Sequence, residues 1–254
     1  MSTSAPAAPT SALSKLVVTE STLFLRERAG AIGLAVPLVV LIIFGSFPWA
    51  QQPSKDYGGL RFVDVYVPIQ IAFALALLAL NALPAVLATY REKGILRRLS
   101  TTPLSPSRVL TAQLAINLVV AVIAMILILG VGRLAFNVGL PRPALGFVLA
   151  FGLAAAALLS LGLVVAAVTP NGRAANGVGT LVLFPLMFFA GLWLPRAAMP
   201  GLLRHVSDVT PLGAAVQALQ DTMQGRWPQP LHLAVMAAYA IIFGLAAVKW
   251  FRWE

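Results

Sequence analysis

Six stretches of this chain, residues 29–47, 67–88, 112–131, 144–168, 178–194 and 231–248, hold no Asp, Glu, Lys, Arg or His, apart from His232 near the start of the last. Each approaches the ~20 apolar residues that a helix needs to cross the hydrocarbon of a bilayer. In lipid every backbone N–H and C=O must be satisfied within the segment, which favours helices. Composition points the same way. Of 254 residues, 59% are hydrophobic and 10% charged, with a mean hydropathy of +0.89, whereas a soluble domain carries about 25% charged residues. Disorder is excluded, and the absence of cysteine excludes a disulfide scaffold, a thiolate metal site and a cysteine nucleophile. The sequence therefore predicts an all-α membrane protein of six transmembrane helices. Residues 1–12, made mostly of Ser, Thr, Ala and Pro, are expected to be a flexible tail, and residues 13–254 a single transmembrane domain.

Tryptophan and basic residues give the orientation. Trp49, Trp193 and Trp227 fall at span ends on one side, Trp250 and Trp253 just past the last span on the other, where an amphipathic ring prefers to lie. Eleven basic residues flank the spans on the side of the termini and seven lie opposite; five of the eleven (Arg91, Lys93, Arg97, Arg98 and Arg108) share one loop. The positive-inside rule makes that side cytoplasmic, so both termini are expected in the cytoplasm and the spans in a bacterial plasma membrane. The net charge of +10 is thus a topological signal, and no nucleic-acid partner is expected.

Three segments outside the spans carry structure of their own. In residues 13–28, Leu13, Leu16, Val17 and Phe24 share a helical face, predicting an interfacial helix on the inner surface or, more simply, a charged flank. In the loop over residues 90–102, Ile95, Leu96 and Leu99 form an apolar stripe among Arg91, Lys93, Arg97 and Arg98. A short amphipathic helix is expected there, ended by Pro103, with Ser105 and Pro106 restarting the chain as the third span. An ordinary positive-inside loop needs neither the stripe nor the capped restart. Gly94 costs about 1 kcal/mol relative to Ala in such a helix, so it bends or ends a turn. In residues 211–224, Thr210 can cap, Pro211 can start and Gly225 can stop a helix with Leu212, Ala215, Val216, Leu219 and Met223 on one face. At about 21 Å it is too short to span, and reads as re-entrant or interfacial, or as a surface cover. Pro185 predicts a kink leading into that region.

The missing chemistry is as informative. The glycine-rich phosphate loop ending in Gly-Lys-Ser/Thr does not occur, so the chain binds no ATP through such a loop. His205 and His232 lack metal-ligand spacing, and Arg204-His205 with Ser207-Asp208 reads as a polar loop rather than a catalytic one. The spans hold no carboxylate to couple protons or sodium. They offer only Gln70, Asn81, Gln113 and Asn117 as candidates to line a pathway, with Asn176 near the fifth. Gln113 and Asn117 share a helical face, and either line a cavity or dimer seam or hold helices together.

A bundle without an energy source, but with a helix facing the cytoplasm, fits a subunit driven by a separate motor. The segment Tyr90–Leu114 resembles the cytoplasmic loop of ABC-2 type transporter permeases. There a Glu-Lys/Arg pair leads into an arginine-rich, leucine-ended segment and a Thr-Pro step between spans two and three. Glu92, Lys93, Gly94, Arg97, Arg98, Leu99, Thr102, Pro103 and Leu104 match that pattern. Thr210-Pro211-Leu212, Ala218-Leu219 and Gly225 resemble the family's loop before the last span.

The resemblance implies a non-catalytic permease subunit of an ATP-driven exporter. Two copies would form the pathway above two separate ATPase subunits that hold the ATP and magnesium. Residues Arg91, Glu92, Lys93, Gly94, Ile95, Leu96, Arg97, Arg98 and Leu99, closed by Pro103, would be its coupling helix. Ile95, Leu96 and Leu99 would fill a cleft of the ATPase, and the charges would set orientation. The apolar spans favour an amphipathic or hydrophobic cargo, nearest to the drug- and antibiotic-export permeases. A lipid-linked cell-wall polymer is the close alternative, and a stand-alone channel or carrier the alternative of another class.

Overall fold

The computed structural model describes residues 28–95, 106–194, 196 and 199–250. Among them no strand forms beyond one bridge between Pro53 and Arg61. The helices are α1 (Arg28–Gly45), α2 (Phe62–Glu92), α3 (Pro106–Phe136), α4 (Ala144–Val168), α5 (Gly172–Phe189), α6 (Gly201–Val209), α7 (Pro211–Met223) and α8 (Pro230–Trp250). Five of them, α2 to α5 and α8, are long and apolar enough to cross a membrane, and α1 adds a shorter apolar stretch, Ala35–Gly45. The fold is that of an all-α membrane protein. The tail over residues 1–12 and the interfacial helix expected over residues 13–28 lie outside the described residues, apart from Arg28, which opens α1.

The helices run past the apolar runs that announce them. α2 starts five residues before the run at 67–88 and ends at Glu92, and α3 extends from Pro106 to Phe136. A helix continues through charge when its polar ends reach the headgroups. At the α2 start, Arg61 pairs with Asp64 at 2.7 Å and donates to the carbonyls of Phe136 and Asn137, which ties α2 to the end of α3. The hydrogen bond to Asp64 raises the Arg61 pKa further.

α2 is the axis of the bundle. Its most apolar window is 72% buried, against 17% for α8. α1, α3, α4, α5 and α7 all pack on α2 or its π turn. α8 lies along α4 and leaves Ile241, Ile242, Leu245 and Val248 exposed. Near its middle α2 widens into a π turn, Leu78–Ala82, of the kind that often marks functional positions. Two glycines clamp that turn. A Cβ on Gly162 of α4 would lie 1.9 Å from the Ala79 carbonyl oxygen, and one on Gly179 of α5 would lie 1.8 Å from that of Leu80. Only residues without a Cβ let three helix backbones meet this closely.

The Arg91 end of the bundle gathers Glu92, Val168, Gly172 and Trp250. The opposite, far end gathers Trp49, Phe62, Phe136, Trp193 and Trp227, so the described tryptophans divide between the ends as expected. At the far end α7 starts as the sequence predicts: Pro211 opens it, and the Thr210 side chain accepts from the Gly213 N–H. The turn after it closes at Gly225 with φ +79°. Its burial is deeper than a surface cover allows. Leu212 through Val216, Ala218, Leu219, Asp221 and Thr222 are buried against α2, α4, α5 and α8, so α7 plugs the far end. α6, just before it, has no counterpart in the sequence reading, which treats residues 204–208 as loop.

Candidate functional site

The loop that resembles a coupling element begins where α2 ends. Arg91 and Glu92 belong to the last turn of α2, not to a separate helix. Lys93 caps it, and Gly94 takes the left-handed conformation at φ +64°, which an L side chain resists and glycine adopts freely. Gly94 therefore ends a turn, and Ile95 is helical again beyond it. Leu96, Arg97, Arg98, Leu99 and Pro103 lie outside the described residues.

The two cations of this corner differ in role. Arg91 is half-buried and donates to the carbonyls of Ala167 and Thr169, just at the end of α4. A guanidinium there satisfies carbonyls left over by the helix and meets the negative end of its dipole. Glu92 and Lys93 are exposed. Gly172 opens α5 against this corner: a Cβ on it would meet the Thr89 hydroxyl at 2.3 Å. The end of α2, the end of α4 and the start of α5 are thus one packed unit.

Of the four amides expected to line a pathway, Asn81 alone lines the groove between α2 and α5. This groove has a volume of about 450 Å³ and is walled by Phe73, Leu77, Leu183, Phe184 and Trp193, with Asn81, Asn176 and Thr180 as its polar members. Thr180 donates to the Asn81 carboxamide oxygen at 3.0 Å, and Phe184 stacks on Trp193 at 5.6 Å. Gln70, Gln113 and Asn117 are buried elsewhere. Asn117 donates to the Gln113 carbonyl at 2.8 Å, a bond within α3 itself that joins no neighbouring helix. Asn176, noted in the sequence only as near the fifth span, does face the groove.

A polar cluster at the far end joins residues the sequence leaves apart. Asp208 on α6 takes two hydrogen bonds from Arg196, at 2.5 and 2.7 Å, and stands 3.5 Å from Nε2 of the buried His232 on α8. Ser207 donates to the Phe189 carbonyl at 2.6 Å, and His205 turns to the Gly201 carbonyl at 2.7 Å. These side chains staple α5, α6 and α8. Only the amphipathic spacing of α6 could have shown them in the sequence.

The fold and its polar ends define a multi-pass membrane protein. A family model, ABC-2 type transporter, matches residues 12–223, and the chain belongs to that family. Membership places it among the membrane-embedded proteins of ABC-2 type transporters. The chain is also similar to two proteins called Nodulation protein J. It is 29% identical over 91 residues to the one from Rhizobium meliloti (strain 1021), a match covering 34% of each chain. It is 28% identical over 95 residues to the one from Bradyrhizobium diazoefficiens (strain JCM 10833 / BCRC 13528 / IAM 13628 / NBRC 14792 / USDA 110), covering 37% of this chain and 36% of the relative. The chain thus matches about a third of the length of these relatives.

Proposed function

We propose that this chain is the permease half of an ATP-driven exporter in a bacterial plasma membrane, with both termini cytoplasmic. Two copies form the pathway, two separate ATPase subunits supply the energy, and the cargo is amphipathic. One observation carries the reading: a single helix, α2, runs from the coupling segment to the groove. Its last turn holds Arg91 against α4, and its π turn holds Asn81 in the groove. Movement of the segment after Gly94 would reach the groove through one rigid element, as bistable packing requires. The groove itself is apolar with a few amide and hydroxyl groups, which suits a cargo with a hydrocarbon part and a polar part.

In this reading Ile95, Leu96 and Leu99 seat in a cleft of the ATPase, with Arg97 and Arg98 setting orientation. The test is ATP-dependent transport in vesicles, with and without the ATPase encoded beside the chain. Transport that needs the ATPase is the expected result, and transport at full rate without it overturns the reading. Leu96→Asp with Leu99→Asp is expected to abolish co-purification of the ATPase. Normal coupling in that variant would move the docking element elsewhere.

A further inference from the structure

At the far end of the bundle a second pocket, of about 230 Å³, opens between the first turns of α2 and the plug helix α7. One wall is a row of amides. Gln217, Gln220 and Gln224 line the pocket at the i, i+3, i+7 spacing that keeps them on one face of a helix. Gln217 donates to the Gln220 carboxamide oxygen, and Gln220 donates to the Val65 carbonyl, both at 3.3 Å. Each of these amide nitrogens carries a second N–H beyond the one so used. The other wall is aromatic, and it continues past the pocket. Phe62 and Tyr66 stack at 4.5 Å, Trp49 lies 4.9 Å from Phe62, and Phe44 lies 5.8 Å from Tyr66. Phe47 stacks in turn on Trp49 at 6.0 Å. Phe44, Phe47 and Trp49 are exposed, so the rings lead from the pocket out to the flank of α1. A tryptophan at a span end marks the depth of the lipid headgroups.

Charge selects what the pocket holds. Arg196 and Arg204 both line it, and the described lining residues include no carboxylate. Asp208 balances Arg196 from outside the lining, at 2.5 Å. The other carboxylates at this end are engaged elsewhere: Asp64 with Arg61, Asp221 with Arg226, and Asp56 with the Ser54 hydroxyl. The lining therefore carries one positive charge more than the carboxylate that serves it. Arg204 donates to the Met199 carbonyl at 3.2 Å, and a guanidinium has five N–H groups to share. The buried Nε of Arg196 finds no partner among the described residues, which adds a directional donor. Guanidinium and amide donors around an excess positive charge are complementary to a phosphoryl oxyanion. A choline head would instead bring a cation against two guanidinium groups. The volume is below the ~300–1,000 Å³ of pockets that enclose drug-sized ligands. It takes a headgroup and leaves the hydrocarbon of a lipid to the rings outside.

We propose that this far-end pocket binds the phosphoryl headgroup of an anionic phospholipid, a resident of the surrounding leaflet rather than cargo. The proposal does not rest on the exporter reading, so its test needs neither ATPase nor transport. The full chain is stripped of lipid in dodecyl maltoside, which contains no phosphate. Because the chain has no cysteine, Gln224→Cys puts a single thiol at the pocket rim for maleimide labelling, and Leu60→Cys is the reporter should that variant fold poorly. Phosphatidylglycerol is expected to slow labelling about tenfold when it stands about tenfold above its Kd. Phosphatidylcholine at the same mole fraction, and inorganic phosphate, are expected to leave the rate unchanged. The protection should weaken as salt rises, since screening acts on the charge that selects the lipid. Arg204→Gln should remove the protection and Arg204→Lys should keep part of it, with lipid-free unfolding temperatures confirming that both variants fold. Equal protection by phosphatidylcholine, protection by inorganic phosphate in place of the lipid, protection by none, or protection that survives Arg204→Gln would each overturn the proposal.

Discussion

Thr180 on α5 donates a 3.0 Å hydrogen bond to Asn81 on the π turn of α2, joining the two walls of the groove through its polar members. Interhelical hydrogen bonds in membranes average only about 0.6 kcal/mol. Thr180→Val, which keeps the shape and removes the donor, is therefore expected to leave thermal unfolding almost unchanged while raising the KM for transport. An unchanged KM would take this pair out of the pathway.

Gly179 gives the opposite balance. The Cβ of Gly179→Ala would stand 1.8 Å from the Leu80 carbonyl oxygen, a backbone atom that cannot step aside. Overpacking costs typically 1–3 kcal/mol, so about 2 kcal/mol of stability should be lost and α5 should part from α2. Gly244→Ala is the control, since its Cβ would meet only the Ser160 hydroxyl at an ordinary 3.8 Å. Comparison of unfolding temperatures in detergent checks both, and equal stability would mean the clamp does not matter.

Arg91 and Lys93 should separate mechanically. Arg91→Lys keeps the charge but loses the fork that reaches the Ala167 and Thr169 carbonyls together. The expected result is an ATPase that still binds but hydrolyses without transport. Lys93→Glu, at an exposed position, should weaken ATPase binding in a salt-dependent way. Titration of the ATPase against nanodisc-held chain, beside transport rates, tells the two apart.

The staple at Asp208 can be broken on one side. Asp208→Ala leaves Arg196 without its counter-charge and His232 without its neighbour. Loss of one partner of a fully buried pair costs about 3–5 kcal/mol. The Arg196 and Asp208 side chains keep 33% and 18% of their exposure, so about 2 kcal/mol is expected, still far above a surface pair. Replacing both Arg196 and Asp208 with Leu should restore much of the loss in thermal unfolding.

The Tyr57 hydroxyl, at the wall of the far-end pocket between α2 and α7, is pushed above its ordinary value of 10.0, first by burial and then by the negative charge of Asp56. Both favour the neutral phenol in the fold. The stability it contributes is present below pH 10 and is lost as pH rises through the raised pKa. Phenolate absorbance of the chain minus that of Tyr57→Phe should show this late titration, and Asp56→Asn should shift it down. A titration at the ordinary value in the parent chain would contradict the burial.

Much of the architecture is set locally. The uncharged runs determine that the chain enters lipid and does so as helices, because a segment with no water around it must satisfy its own backbone. The start of α7 is local too, since Thr210 and Pro211 act within one turn, and so is the stop at Gly94, where only backbone φ matters. Span ends are less legible. Hydropathy stops at the first charge, whereas α2 runs on to Glu92 because Arg91 finds carbonyls on α4 to bond. α6 stays hidden in the sequence, where its polar residues read as loop.

By itself, then, the sequence determined a membrane-embedded all-α chain, and its loop motif pointed to the family. The tertiary structure alone decided that Asn81 faces a groove while Gln70, Gln113 and Asn117 do not, that Arg196, Asp208 and His232 meet, and that three glutamines face three aromatic rings. Helical spacing fixes which residues share a face. Which neighbour that face meets depends on how closely the backbones approach, and here glycines at 162 and 179 set that distance against the π turn.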